Sequence, residues 1–250
     1  MTILEKARDK FIKILQEKNI SREEWLSAEP LGAKEALGDP APYKDFALQR
    51  GLEKLVEVSY GKARGQAFTS FPMRWQGSLG EVLGLDLESD RNRALLVATM
   101  NAVGRYLNLI DGTIHCKNDG PKKCGRVMAL ELQKIIKANQ LLGMVGYQPA
   151  LLENLAALLQ PENIRVVDLN PDNIGRNIYG LPIWDGVKDI DRLVEECTLF
   201  LVTGSALVNN TLDGLLELIH RRKKRAILFG TTIAFTASVL GLDRFCFEAK

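Results

Sequence analysis

The residues best able to do chemistry in this chain are crowded into one segment, Thr113-Ile-His-Cys-Lys-Asn-Asp-Gly-Pro-Lys-Lys-Cys124. It holds one of the two histidines, His115, and two of the four cysteines, Cys116 and Cys124, with Asp119 between them. Thiolates and imidazole ligate soft and borderline metals, and a thiolate is also a nucleophile. His115, Cys116, Asp119 and Cys124 are therefore the candidate metal ligands. Seven residues separate the cysteines, so the spacing is not the Cys-x-x-Cys of a zinc ribbon or a thioredoxin. His115 and Cys116 are adjacent, and in an extended chain they point to opposite faces, so a turn has to bring them onto one ion. Asn118, Asp119, Gly120 and Pro121 predict a turn there. On spacing alone, two ordinary reduced thiols and a polar loop histidine explain the segment as well.

A second set of candidates sits where strands are predicted to end. Leu142–Gly146, Ile164–Leu169, Thr198–Thr203 and Ala226–Gly230 are short apolar runs separated by helical patterns. Such runs predict a parallel, doubly wound sheet. Ligands of open parallel sheets bind outside the carboxyl ends of the strands. That places Gly146 and Tyr147, Asp168 and Asn170, Thr203, and the polar run Asn209, Asn210 and Thr211 at a candidate ligand site. Asp168 lies about 20 residues beyond Gly146, the separation at which dinucleotide-binding folds hold a ribose hydroxyl. Yet Gly143-Met-Val-Gly-Tyr-Gln-Pro149 lacks the Gly-x-Gly-x-x-Gly phosphate turn, which argues against nicotinamide or flavin dinucleotides. A nucleoside-type ligand such as S-adenosylmethionine needs no phosphate cradle and stays open. Asp168 is equally read as a strand-end cap for the turn Asn170-Pro171-Asp172. Leu207–Ile219 reads as the helix that follows the third strand; Asn210 or Thr211 suits the N-cap of its part Leu212–Ile219, and the whole polar group suits an anion at that helix N-terminus.

The elements that must position these residues divide near residues 108–126. In the first half, Ile3–Lys18 and Asp90–Leu109 have helical periodicity. Ser21 and Glu24 have the spacing of a capping box, predicting a short helix. Leu55–Tyr60 and Gln66–Phe71 read as a hairpin around Gly61–Gly65, and Pro30–Tyr43 reads as irregular. In the second half, Gly125–Asn139 reads as a helix, and Pro149 suits the first turn of another that runs to Leu159. The chain is thus expected to be α/β, with an α+β unit over residues 1–108 and a parallel-sheet unit over residues 109–250. Clefts between such units are common ligand sites.

Composition sets outer limits. At 250 residues, 46% hydrophobic and 26% charged, the chain reads as one large or two small globular units. A net charge of +2 gives no electrostatic case for nucleic acid. The basic run His220–Arg225 is expected to be a solvated helix end. No apolar run predicts a membrane span or a signal peptide, so a cytoplasmic setting with reduced thiols is expected. Cys197 and Cys246 lie in apolar surroundings and read as core. If the chain oligomerises, a homodimer is the commonest outcome.

Several segments together resemble a known family. They are Asn101-Ala102, the His115–Cys124 segment, Gly143–Pro149, Val167–Pro171 and Thr203–Asp213. The chain resembles the heavy-metal chelation family, long carried as a domain of unknown function. The resemblance implies an enolase N-terminal-like α+β domain followed by a Rossmann-like domain, with a site in the cleft that includes Asn101. It also implies handling of a metal or a metal chelate; thiolate donors at Cys116 and Cys124 would favour zinc, iron or copper. The chain departs from the family pattern after Gly230, where a Pro-containing turn is replaced by Thr231-Thr232-Ile233, and its last strand looks short. Two other functions fit the same residues. One is an enzyme acting on a small organic ligand, with Cys116 as a nucleophile activated by Lys117, Lys122 and Lys123. The other is a scaffold with a vestigial cleft.

Overall fold

The computed structural model describes residues 1–38, 54–137 and 139–250. The chain opens with helix α1 (Ile3–Glu17). Its start is closed reciprocally: the Thr2 hydroxyl accepts from the Glu5 amide, and the Glu5 carboxylate accepts from the Thr2 amide. An antiparallel sheet follows, built from β1 (Trp25–Leu31), β2 (Lys54–Tyr60), β3 (Ala63–Thr69) and β4 (Trp75–Ser78) in the order β3-β2-β1-β4. Short helices α2 (Ala33–Leu37) and α3 (Leu79–Leu83) follow β1 and β4.

Ser21 and Glu24 do not start a helix, contrary to their spacing. They form a turn that leads into β1. A local cap is worth about 1 kcal/mol. β1 instead pairs with both β2 and β4 and buries Leu26 and Ala28. Pro30 is tolerated because β4 pairs only with Trp25–Ala28, so no ladder bond on that side is lost. The expected irregular stretch 30–43 is partly ordered: Pro30 and Leu31 end β1 and α2 follows. Residues 39–43 lie outside the described residues.

Helix α4 (Asp90–Tyr106) crosses the antiparallel sheet, and its residues from Arg93 to Gly104 are buried. A helix buried on all sides sits in the middle of a protein rather than at its surface. One face meets β2 and β3. A Cβ on Gly65 of β3 would lie 2.2 Å from the Ala102 nitrogen and 2.3 Å from the Ala98 oxygen. Only glycine lets the strand seat the helix backbone this closely.

The second half contributes α5 (Gly120–Ile135), β5 (Leu142–Val145), α6 (Pro149–Leu159), β6 (Ile164–Asp168), β7 (Asn177–Ile178), β8 (Leu181–Asp185), α7 (Ile190–Glu196), β9 (Leu199–Thr203), α8 (Ser205–Val208), α9 (Leu212–Arg221), β10 (Arg225–Phe229), α10 (Ala234–Leu240) and β11 (Arg244–Phe245). Its sheet runs β11-β10-β9-β5-β6-β8-β7, parallel throughout except for the β7–β8 pair. Alternate residues feed opposite faces. Leu199 and Leu201 pack with Leu132 of α5 and Leu155 of α6, whereas Phe200 and Val202 pack in the core that holds Leu193 and Leu216. The expected mixed α/β fold with a largely parallel sheet is what the chain adopts. α10 and α8 pack against α4, so one apolar core spans both sheets.

Several boundaries differ from the periodicity. The second hairpin strand is Ala63–Thr69 rather than Gln66–Phe71, because the turn takes only Gly61 and Lys62. α5 starts at Gly120, not Gly125, because Pro121 fits its first turn, where a missing N–H costs nothing. The expected helix Leu207–Ile219 is broken at Asn209–Thr211, where Asn210 has φ of 59°. The basic run closes α9 and enters β10. Arg221 pairs with Glu217, Arg222 with Glu195 and Arg225 with Asp243, as a solvated helix end would. Among the described residues no helix is long and apolar enough to cross a membrane.

Candidate functional site

The chain order of the parallel sheet reverses between β5 and β9, the place where open sheets leave a crevice at their carboxyl ends. A cavity of about 680 Å³ with a largely apolar wall lies there. Gly146, Tyr147, Asp168, Asn170, Thr203, Asn209, Asn210 and Thr211 all line it, as do His115, Cys116 and Cys124. The structure thus brings eleven of the thirteen candidate residues to one cavity. Leu37, Phe68 and Ser70 from the first half line it too.

The thiol-bearing segment is held by backbone and amide contacts rather than by its own turn. The Thr113 hydroxyl donates to the Arg64 carbonyl at 2.7 Å, and the Gln66 amide N–H donates to the Thr113 carbonyl. The Gln66 side-chain oxygen accepts from the His115 amide at 2.7 Å, and Asn118 N–H donates to the Leu37 carbonyl. The His115 ring then stands edge-on to Phe68, with centroids 5.5 Å apart. Its Nδ1 is buried without a hydrogen-bond partner among the described residues. Burial outweighs the nearby carbonyls of Cys116 and Ala36 and lowers its pKa to about 4. His115 is therefore neutral at physiological pH, the form in which imidazole ligates metals.

The thiols differ sharply. Cys116 is buried, and that burial, reinforced by Cys124, pushes its pKa up to about 12. Cys124 is the fifth residue of α5. Its sulfur accepts from the Cys246 thiol and from the backbone N–H groups of Phe247 and Glu248, which hold it below the ordinary thiol range. Cys246 is pushed the other way, by that bond and by burial. Cys246, expected in the core, thus lines the cavity beside Cys124. Cys197 is fully buried in the core, as expected.

Two candidates lie elsewhere. Asp119 is exposed and pairs with Lys123 at 2.8 Å, which lowers its carboxyl pKa, so it does not face the thiols. Asn101 is fully buried and does not line the cavity. Its side-chain nitrogen donates to the carbonyls of Gln66, Thr231 and Thr232, and its oxygen accepts from the Phe235 amide at 2.9 Å. It clamps β3 and the start of α10 to α4. Asp168 lines the cavity, but its carboxylate accepts from the Tyr147 amide (2.6 Å), the Asn170 amide (2.7 Å) and the Asn173 side chain (3.2 Å). This is the strand-end cap read from the turn chemistry, with little acceptor capacity left for a ribose. Gly146 holds φ of +93°, and a Cβ there would lie 2.6 Å from Thr203, so β5 can turn past β9 only at glycine.

The donor chemistry suits a soft or borderline metal, but the geometry does not form a closed site. Among the described residues no three His, Cys, Asp or Glu side chains are grouped so as to hold a metal ion. What is present is a neutral imidazole and three thiols spread along one wall of a large cavity. Such a wall can supply one or two ligands to a metal whose other positions are filled by something else.

These features define a two-sheet α/β protein with an apolar, thiol-edged cavity at the switch point of a parallel sheet. Residues 128–243 match the DUF364 family, described as "Putative heavy-metal chelation". Two solved structures share the fold, both proteins of unknown function from the same family. The one from Pyrococcus horikoshii is 16% identical, with a TM-score of 0.52 over 92% of this chain and 79% of that one. The one from Desulfitobacterium hafniense DCB-2 is 17% identical, with a TM-score of 0.51 over 93% of this chain and 83% of that one. No functionally curated protein matches the chain.

Proposed function

We propose that this protein binds a transition or heavy metal in the form of a chelate, with the organic part of the chelate filling the cavity. The observation that carries this reading is the combination of a cavity of about 680 Å³ with thiols on its wall and, among the described residues, no preformed ligand set. A bare ion needs a tight shell of three or four donors. Cavities of several hundred Å³ with apolar walls suit small organic molecules. A metal already wrapped by an organic ligand satisfies both facts, and the description of the matched family, heavy-metal chelation, supports the metal part of this reading. In this reading the two sheet-containing halves, residues 1–108 and 109–250, form the walls of a cleft.

The metal end lies at Cys124 and Cys116, with His115 adjacent. Cys124 is the better donor, because the hydrogen bonds donated to its sulfur lower its pKa while burial raises that of Cys116. Cys116 has to lose a proton on binding, so its share of affinity rises with pH. Thiolate and imidazole donors select zinc, copper or iron over magnesium and calcium. The apolar wall formed by Leu37, Phe68 and Leu215 receives the organic part.

The test is elemental analysis and native mass spectrometry of protein purified without chelators or a nickel column, beside a Cys116→Ser/Cys124→Ser protein. Near-stoichiometric metal with an accompanying small molecule in the wild type, lost in the variant, is the expected result. Protein that carries no metal, and takes up neither free metal nor small metal chelates at near-stoichiometric addition, removes the proposal.

A further inference from the structure

The metal reading uses Cys116 and Cys124 and leaves Cys246 without a role. The C-terminal tail brings it there. β11 pairs with the edge of the parallel sheet, and the tail then crosses towards the start of α5. Ile114 and Lys250 exchange two backbone hydrogen bonds, of 2.8 and 3.0 Å. Arg244 anchors the other end of this crossing, donating to the carbonyls of Gly230 and Gly112 at 2.9 and 2.6 Å. Between these anchors the Cys246 thiol is in hydrogen-bond contact with the Cys124 sulfur.

We infer that Cys124 and Cys246 are a peroxide-oxidisable dithiol pair that closes into an intramolecular disulfide. Three observations carry this beyond mere proximity. Both sulfurs border the cavity, which gives a small oxidant a path to them. Cys124 is fixed in a helix while Cys246 lies on tail residues outside helix and strand, so the short approach from thiol contact to bond length falls to the tail. The remaining nearby thiol is placed differently: the Cys116 side chain packs over Gly120, where an added Cβ would sit 2.9 Å from the Cys116 Cβ. All three of these cysteines lie outside residues 128–243, so the pair is no part of the matched family region.

The chemistry balances with a hydroperoxide as oxidant. The Cys124 thiolate attacks the terminal peroxide oxygen; the O–O bond breaks, and the leaving alkoxide or hydroxide departs as alcohol or water with the Cys124 proton. Cys124 is then a sulfenic acid. The Cys246 sulfur attacks it, the S–S bond forms, the S–O bond breaks, and water leaves with the Cys246 proton. Two thiols and one hydroperoxide become one disulfide, one alcohol (or water) and one water. The bond takes the Cys124 sulfur out of the cavity's donor set, so in the metal-chelate reading oxidation releases the cargo. The disulfide itself does not depend on that reading.

The experiment uses metal-free, full-length protein treated with stoichiometric hydrogen peroxide, digested with trypsin without reduction and mapped by mass spectrometry. Cleavage after Lys117, Lys123 and Arg244 puts Cys116, Cys124 and Cys246 on separate peptides. The expected product is Cys124–Arg126 joined to Phe245–Lys250, lighter by two hydrogens and separated by a thiol reductant. In a Cys246→Ser protein Cys124 has no partner, and its sulfenic acid is trapped by dimedone. Full alkylation of Cys124 and Cys246 after peroxide, or a linked product that contains Cys116 in place of Cys246, overturns the inference. Because no metal is present, this outcome and that of the metal analysis are independent. The wild-type map alone decides, so a variant that misfolds does not blur it.

Discussion

At the scale of single residues, the site depends on environments that no residue carries by itself. His115 shows this most directly. Its ring stands against Phe68, its backbone amide donates to the Gln66 side-chain oxygen, and burial keeps it neutral down to about pH 4. The unfolded chain takes up a proton there near pH 6.5. Between those values the unfolded state binds more protons than the folded one. The contribution is therefore complete above about pH 6.5, falls as the pH drops towards 4, and changes no further below that. The loss over the window is about 3 kcal/mol. Urea unfolding of wild type and His115→Asn at pH 7 and pH 4 measures it: the wild type should lose about that much more stability on acidification. Equal acid sensitivity of the two proteins would show that the ring is not buried as described. The same reasoning separates the thiols. Cys116 and Cys124 are eight residues apart in sequence, yet burial raises one while donated hydrogen bonds lower the other.

At the scale of elements, α4 organises the molecule. It lies between the antiparallel sheet and the helices α8 and α10, and Gly65 admits its backbone. Asn101 occupies the middle of this packing and satisfies one amide and three carbonyls from three segments. Removing a side chain that completes buried backbone groups costs the desolvation of each orphaned partner. Asn101→Ala is expected to destabilise the protein by about 3 kcal/mol. Reduced, metal-free protein should still react with thiol reagents at Cys124 as the wild type does, because Asn101 does not touch the cavity. Chemical denaturation with thiol-labelling rates on the same samples checks both parts. A mild loss of stability with altered labelling would assign Asn101 to the site instead.

Elements also show where local signals lose. Ser21 and Glu24 carry cap spacing, but β1 gains two neighbouring strands and a buried face, a larger return than one cap. Gly120 and Pro121 read as a turn, although both are compatible with a first helical turn, and packing of α5 on α6 selects the helix. Leu181–Asp185 carries Pro182 and offers only a short apolar run, so its place beside β6 comes from pairing rather than from pattern.

At the scale of the whole molecule, the cavity is closed by residues far apart in the chain. Arg244 ties the tail to the loops after β10 and before His115. Arg244→Ala is expected to free the tail, so that the amides of Ile114 and Lys250 exchange with solvent at least tenfold faster while those of β5 and β9 are unchanged. Hydrogen exchange read by mass spectrometry tests this. Unchanged protection at Ile114 and Lys250 would show that their mutual bonds hold the tail without the arginine.

The sequence alone determined the parts governed by short-range periodicity and backbone chemistry. It determined the helices at Ile3–Glu17, Asp90–Tyr106 and Pro149–Leu159, the hairpin, the succession of parallel strands and the polar residues at their carboxyl ends. Each of these follows from side-chain alternation or from a residue with one preferred conformation, so neighbours in sequence suffice to specify it. The tertiary structure decided which chemically capable residues meet. It turned Asp119 to solvent, put Asn101 to work in the core, used up the acceptors of Asp168 and carried Cys246 from the tail to Cys124. Those outcomes depend on strand pairing and burial between segments more than a hundred residues apart, as Cys124 and Cys246 are, and spacing along the chain does not encode such distances.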